Sequence, residues 1–221
     1  MRRILTLSFV CLLCGMLRAE FIPNTLWPYV YEDFCPGELV LKNGSKVRAS
    51  FNIHLQEGEL HYLKNDNILT VGTERVREVI IGVDTYMPSE GKMMKVVAQN
   101  GENYLFKSVL GDFESLFVGT GAYGASANTQ AVRNLSSIEI GGKNIINHAV
   151  LLQNKEGGKE LPVVEKYYFL IEGICVPATK KEVESRLVSD KESWKLFLKE
   201  NRIKWLKEES LAKVLQYFLK D

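Results

Sequence analysis

Val47-Arg48-Ala49-Ser50-Phe51-Asn52-Ile53-His54-Leu55-Gln56 alternates apolar and polar residues along its whole length. Successive side chains of an extended chain point to opposite faces, so this period of two predicts a strand with one buried and one wet face. Val47, Ala49, Phe51, Ile53 and Leu55 form the buried set; Arg48, Ser50, Asn52, His54 and Gln56 form the wet one. Upstream, Leu39-Val40-Leu41 runs into Asn43-Gly44, a pair suited to the left-handed backbone of a tight hairpin. Downstream, Glu57-Gly58 turns the chain, Leu60 and Tyr62 resume the apolar face, and Asn65-Asp66-Asn67 turns again into Ile68-Leu69-Thr70-Val71.

The same grammar continues. A β-branched run covers 76–83, and residues 93–98 and 104–110 read as a hairpin across Asn100-Gly101. Strands are expected at 113–118 and 135–140, on either side of a glycine-rich stretch, then at 149–153 and 163–171 around Gly157-Gly158. Strands do not alternate with helices, so a parallel sheet is not expected. The reading is mainly β (α+β overall): an antiparallel meander, sandwich or partly open barrel.

After Pro177 the period changes to that of a helix. Thr179-Lys180-Lys181-Glu182 and Ser189-Asp190-Lys191-Glu192 have the form of capping boxes, in which a hydroxyl caps an amide three residues on. Trp194, Phe197 and Leu198 mark one apolar stripe, and Leu211, Val214, Leu215, Phe218 and Leu219 mark another. The expected organisation is a leader at 1–19, an aromatic arm at 20–37, a β domain at 38–177, and a cap of two or three helices at 178–221. The arm, with Trp27-Pro28-Tyr29-Val30-Tyr31, is expected to pack on the β domain through its rings.

The leader reading rests on Met1-Arg2-Arg3, an uncharged apolar run from Ile4 to Leu17, and the small residue Ala19. A soluble mature chain starting near Glu20, outside the cytoplasm, is expected. General secretion fits better than twin-arginine export, because the run after Arg2-Arg3 is strongly apolar. A lipid anchor at Cys14 is the lesser alternative, since Leu13 stands where a small residue belongs. No later segment is apolar enough to span a bilayer. The 221 residues carry a net charge of +1 and lose Arg2, Arg3 and Arg18 with the leader. The slightly acidic remainder excludes a strongly basic nucleic-acid binder.

Candidate chemistry is sparse. Gly119-Thr120-Gly121-Ala122-Tyr123-Gly124 has the spacing of a dinucleotide loop, with Glu139 downstream. Such a loop should open the helix of a first βαβ unit, whereas this one follows several hairpins and precedes a poor helix sequence. It is read as a flexible connection, and no cofactor is expected. Across the Glu57-Gly58 turn, His54 and His61 fall on one side, where a pair of imidazoles can begin a metal site. That side also holds Asn52, Gln56 and Glu59, so exposed hairpin histidines are the stronger reading. Cys35 and Cys175 remain after cleavage and are read as either a disulfide or two buried thiols. Ser126 lacks a nucleophile elbow, and His148 forms no recognised set with either cysteine. Asn43-Gly44-Ser45 and Asn134-Leu135-Ser136 match the N-glycosylation pattern. No catalytic set is expected.

Gly37-Glu38-Leu39-Val40-Leu41-Lys42-Asn43-Gly44-Ser45, Phe51-Asn52-Ile53-His54, Glu59-Leu60-His61-Tyr62, Val79 to Tyr86 and Gly121-Ala122-Tyr123-Gly124 occur in that order, ahead of the aromatic tail. Together they resemble uncharacterised exported β-rich envelope proteins of the Bacteroidota. That resemblance implies a periplasmic or outer-membrane-associated setting and supplies no activity and no catalytic residues. The expected function is a non-enzymatic structural or partner-binding role in the envelope. A small-ligand-binding β-barrel is the alternative, and a metal-dependent hydrolase the third reading.

Overall fold

The computed structural model describes residues 28–65, 67–112, 137–140, 143–146 and 162–218. The first hairpins form as the alternation requires. β1 (Cys35–Leu41) pairs with β2 (Lys46–Ile53), and β3 (Leu60–Lys64) with β4 (Asn67–Val71). A second meander follows: β5 (Val76–Ile81), β6 (Asp84–Ser89), β7 (Lys92–Asn100) and β8 (Asn103–Gly111). β9 (Ser137–Ile140) and β10 (Lys143–Ile146) form a separate two-stranded pair. β11 (Val163–Ile171) and β12 (Ile174–Pro177) then extend the main sheet beyond β8.

The main sheet has ten antiparallel strands in the order β12-β11-β8-β7-β6-β5-β1-β2-β3-β4, so the two meanders join where β1 lies beside β5. Three of these strands depart from the expected boundaries. β5 stops at Ile81 and Gly82-Val83 turns into β6, a strand that the sequence reading lacks, as it lacks β12. Pro88 is the reason β6 is illegible, because proline gives no amide to a ladder and argues against an interior strand. The expected strands at 113–118 and 149–153 lie outside the described residues.

The sheet curls into a half-barrel. Two hydrogen bonds close part of the seam: Met93 N–H donates to Gly58 O at 2.7 Å, and Gly111 N–H donates to Leu55 O at 2.8 Å. These join the β2–β3 turn to β7 and β8, although β1, β5 and β6 separate β2 from β7 in the sheet. Gly58 makes the approach feasible. Its φ is +71°, and a Cβ there would sit 2.8 Å from Lys92 Cβ. The β4–β5 link imposes the same curl. Four strand spacings, roughly 19 Å, separate these strands along the sheet. Only Gly72 and the 3₁₀ turn Thr73–Arg75 connect them. Gly37 sits where β1 and β5 come closest, with Ile80 O 2.3 Å from where a Cβ would be.

Two apolar clusters hold the fold. Leu39, Phe51, Ile53, Leu60, Val79, Ile81 and Tyr86 fill the curl of the first half. In the second half, Leu105, Phe169, Ile171 and Val176 pack under the C-terminal helices. These are α1 (Lys180–Arg186), α2 (Lys191–Asn201) and α3 (Glu208–Tyr217). Thr179 caps α1 as expected, accepting from Glu182 N–H. The cap of α2 is Asp190 rather than Ser189, and its carboxylate accepts from the amides of Glu192 and Ser193. Trp194 is 2 % exposed, with the rings of Phe197, Trp205, Tyr217 and Phe218 within 6.4 Å of its own. Lys107 of β8 ties α3 to the sheet. Its buried ammonium lies 2.9 Å from Glu165 and 3.5 Å from Glu208, and Tyr167 O–H donates to Glu208 at 2.9 Å. Among the described residues, no helix is long and apolar enough to cross a membrane.

Candidate binding groove and buried histidine cluster

The arm extends β1 along β2. Tyr29 bridges to His54, Val30 N–H donates to Ile53 O, and Leu55 N–H donates to Pro28 O. Regular pairing resumes only where Cys35 meets Phe51. The arm residues between, 30–34, therefore bulge out opposite Asn52 and Ile53. Asn52 supplies the missing backbone partners. Its Oδ1 accepts from Tyr31 N–H at 3.0 Å, and its Nδ2 donates to Tyr31 O at 2.9 Å and Asp33 O at 3.1 Å. Tyr31 then reaches across to Asp84 Oδ2 at 3.0 Å and Tyr86 Oη at 2.8 Å. Asp84 in turn pairs with Lys95 at 3.2 Å.

This arm overturns the wet-face expectation for Asn52 and His54. Asn52 is fully buried, His54 is 8 % exposed and His61 1 % exposed. The polar face is dry at this end because Tyr29 lies across it, edge-on to both imidazoles at 5.2 and 5.6 Å. At the other end of β2, Arg48 is exposed as expected. The structure does bring His54 and His61 together. They sit on neighbouring rungs, since His61 pairs with Asn52, and their rings stack at 5.1 Å.

His61 is saturated within the cluster. Glu59 can only accept when ionised, so the 3.3 Å contact to His61 is a donation from Nε2–H. In the neutral ring, Nδ1 then accepts from Tyr29 O–H at 2.9 Å. Burial, then the neighbouring His61, pulls His54 down to about 3. Burial, then the Glu59 charge, raises the Tyr29 phenol above its ordinary range. The hydrogen bond from His61 holds Glu59 below the usual carboxylate range. His54 is therefore uncharged at neutral pH, Tyr29 keeps its proton, and both His61 nitrogens are engaged. The arrangement anchors the arm. Among the described residues, no group of three or more His, Cys, Asp or Glu side chains is placed to hold a metal.

A groove of about 480 Å³ opens in the curl of the β1–β4 half. Leu39, Val47, Ala49, Phe51, Tyr62 and Val71 give it an apolar floor. Arg48, Lys64 and Arg75 line it as well, and no lining residue is acidic. Arg48 is held by Glu38 at 3.2 Å. Val47 and Leu69, apolar residues of β2 and β4, are each about two-fifths exposed, at 40 and 39 %. A second, wider gap of about 620 Å³ lies between α1 and α2, bounded largely by Lys180, Lys181, Glu184, Lys191 and Lys195. Its charges partly pair with neighbours on their own helices, Lys180 with Glu184 and Lys195 with Glu192.

Cys35 and Cys175 are not brought together. Both are free thiols, on strands separated by five others in the sheet. Cys35 donates to Asp33 O, whereas Cys175 lies 3.3 Å from Ser89 Oγ. Cys14, the 119–124 loop, Ser126 and His148 lie outside the described residues. The groove was not legible in sequence, because its lining residues are ordinary core positions of four strands. The free cations Lys64 and Arg75, flanking apolar runs, were the only signal. The fold and groove define a curled antiparallel half-barrel with a helical cap and an accessible apolar concavity. A scan against protein-family models, a search of curated proteins and a search of solved structures each returned no match.

Proposed function

We propose that this is a non-enzymatic envelope protein that works by binding, with the groove in the β1–β4 half as its site for a small apolar ligand. The observation that carries this reading is the groove itself. At about 480 Å³ it falls in the size range of small-molecule sites. Val47, 40 % exposed, stands over a floor formed by the buried Leu39 and Phe51, so an apolar hollow opens to solvent. This favours the ligand-binding alternative over a purely structural role.

The test is titration with N-phenyl-1-naphthylamine, a dye that brightens in apolar surroundings. Saturable one-to-one enhancement is expected. Ala49→Phe, which narrows the groove, and Val47→Asp, which makes its floor polar, should each weaken it at least tenfold while the thermal melt stays cooperative. Enhancement that is absent, unsaturable or indifferent to both substitutions defeats the proposal. The envelope setting is supported by the leader-like sequence at 1–19. Protein recovered from the envelope fraction should begin at Glu20, and recovery from the cytoplasm with residues 1–19 intact would refute export.

A further inference from the structure

We infer that the ligand of this groove is a single-chain aliphatic carboxylate, its tail on the apolar floor and its headgroup held by Lys64 and Arg75. This rests on the groove being the binding site. Four observations on the molecule converge on that chemistry.

The floor is aliphatic and aromatic, with Leu39, Val47, Ala49, Phe51, Tyr62 and Val71 contributing no charge. Burying a chain there gains affinity with each methylene, by about fourfold or 0.8 kcal/mol. The charge of the lining has one sign: three cations and no carboxylate. Glu38 already engages Arg48, through Oε2, and Lys46, through Oε1. Lys64 and Arg75 are exposed, and among the described residues no carboxylate pairs with either, although the acidic side chain of Glu74 lies close to the lining, beside Gly72. Two cations in the lining of an apolar groove favour an anionic ligand, and a guanidinium presents paired donors that match a carboxylate.

Size and framework narrow the class. A concavity of about 480 Å³ suits one aliphatic chain rather than the paired chains of a phospholipid. Lys64 closes β3 at the β3–β4 turn, and Arg75 ends the 3₁₀ turn before β5, where its carbonyl accepts from Lys42 N–H at 2.9 Å. Both cations thus stand on short, hydrogen-bonded connections.

The experiment is displacement of N-phenyl-1-naphthylamine from the full mature chain at low ionic strength. Dodecanoate, dodecanol and dodecyltrimethylammonium are compared, all below their micelle concentrations. Dodecanoate should bind at least tenfold more tightly than dodecanol, and the cation more weakly than either. Decanoate should bind roughly fifteenfold more weakly than dodecanoate, two methylenes apart. In the Lys64→Gln, Arg75→Gln double variant, the preference for dodecanoate over dodecanol should disappear. Both positions are exposed, so the variant should melt like the parent.

Equal affinity of carboxylate and alcohol, or a carboxylate preference that survives the double substitution, overturns this inference and leaves the groove as a neutral apolar site. Failure of all three amphiphiles with the dye still bound shows a different occupant and also overturns it. Failure of the dye as well removes the binding site itself. A groove covered by a second copy of the chain would show as a dimer by light scattering that Val47→Asp dissociates, and that result overturns both readings.

Discussion

Replacing Asn52 by alanine removes the side chain that completes the backbone pairing of the arm. Three hydrogen bonds to the arm are lost, to Tyr31 N–H, Tyr31 O and Asp33 O, all between 2.9 and 3.1 Å, besides a local one from the adjoining Ile53 N–H. Each is worth about 1 kcal/mol net in a buried setting, so the cost is about 3 kcal/mol. That is a large part of the roughly 5–15 kcal/mol by which a domain is stable. Equilibrium urea unfolding followed by tryptophan fluorescence reads it directly. With slopes of about 1–3 kcal/mol per molar urea, the midpoint should drop by roughly 1–3 M. Asn52→Asp sharpens the test. It keeps the acceptor for Tyr31 N–H but turns a carboxylate oxygen toward two carbonyls, so it should cost at least as much as alanine. As a control, Asn67→Ala removes an exposed bond to Asn65 O and should change stability by less than about 0.5 kcal/mol. An Asn52→Ala protein within about 1 kcal/mol of the parent, or an Asn52→Asp protein as stable as the parent, would refute the role given to this side chain.

Two further outcomes are expected. His54 is held to about 3 in the folded chain, against 6.5 when free, so between these values only the unfolded chain takes up a proton there. Stability is complete above pH 6.5 and falls as the pH drops toward 3, by up to about 1.4 kcal/mol per pH unit. The lowered Glu59 carboxyl adds loss in the same direction at the acid end. His54→Phe should flatten the change in urea midpoint between pH 6.5 and 5, and an unchanged slope would contradict the buried, uncharged imidazole. Arg202 ends α2 in the left-handed region at φ 47° and ψ 53°. Glycine adopts that conformation without a Cβ penalty, so Arg202→Gly should stabilise by about 0.5–1 kcal/mol and raise the melting temperature by a few degrees. A lower melting temperature by differential scanning calorimetry would count against a strained cap.

The strand content was readable because alternation is a local property. The run from Val47 to Leu55 and the unbroken 163–171 segment each fixed a strand, since a pleated chain sorts its side chains by parity whatever it packs against. The helix starts at Thr179 and near Asp190 were readable for a similar reason, as caps act over three residues. β6 was hidden by Pro88, and β12 by its four-residue length. Parity also says which residues share a face, and it placed His54 and His61 on one side correctly.

What parity cannot say is whether that side is wet. Asn52, His54 and His61 became buried because the arm returns along β2, bonding Tyr31 and Asp33 to Asn52 and laying Tyr29 over the two imidazoles, contacts between residues 19 to 32 positions apart. The groove likewise exists because the β2–β3 turn bonds to β7 and β8 and the short β4–β5 link draws β4 back to β5, curling four ordinary strands around a common hollow. The sequence by itself determined an antiparallel β chain with a helical end, through preferences that each residue expresses among its near neighbours. The buried histidines and the cationic concavity were decided by the tertiary structure, because burial and curvature come from distant segments closing on one another.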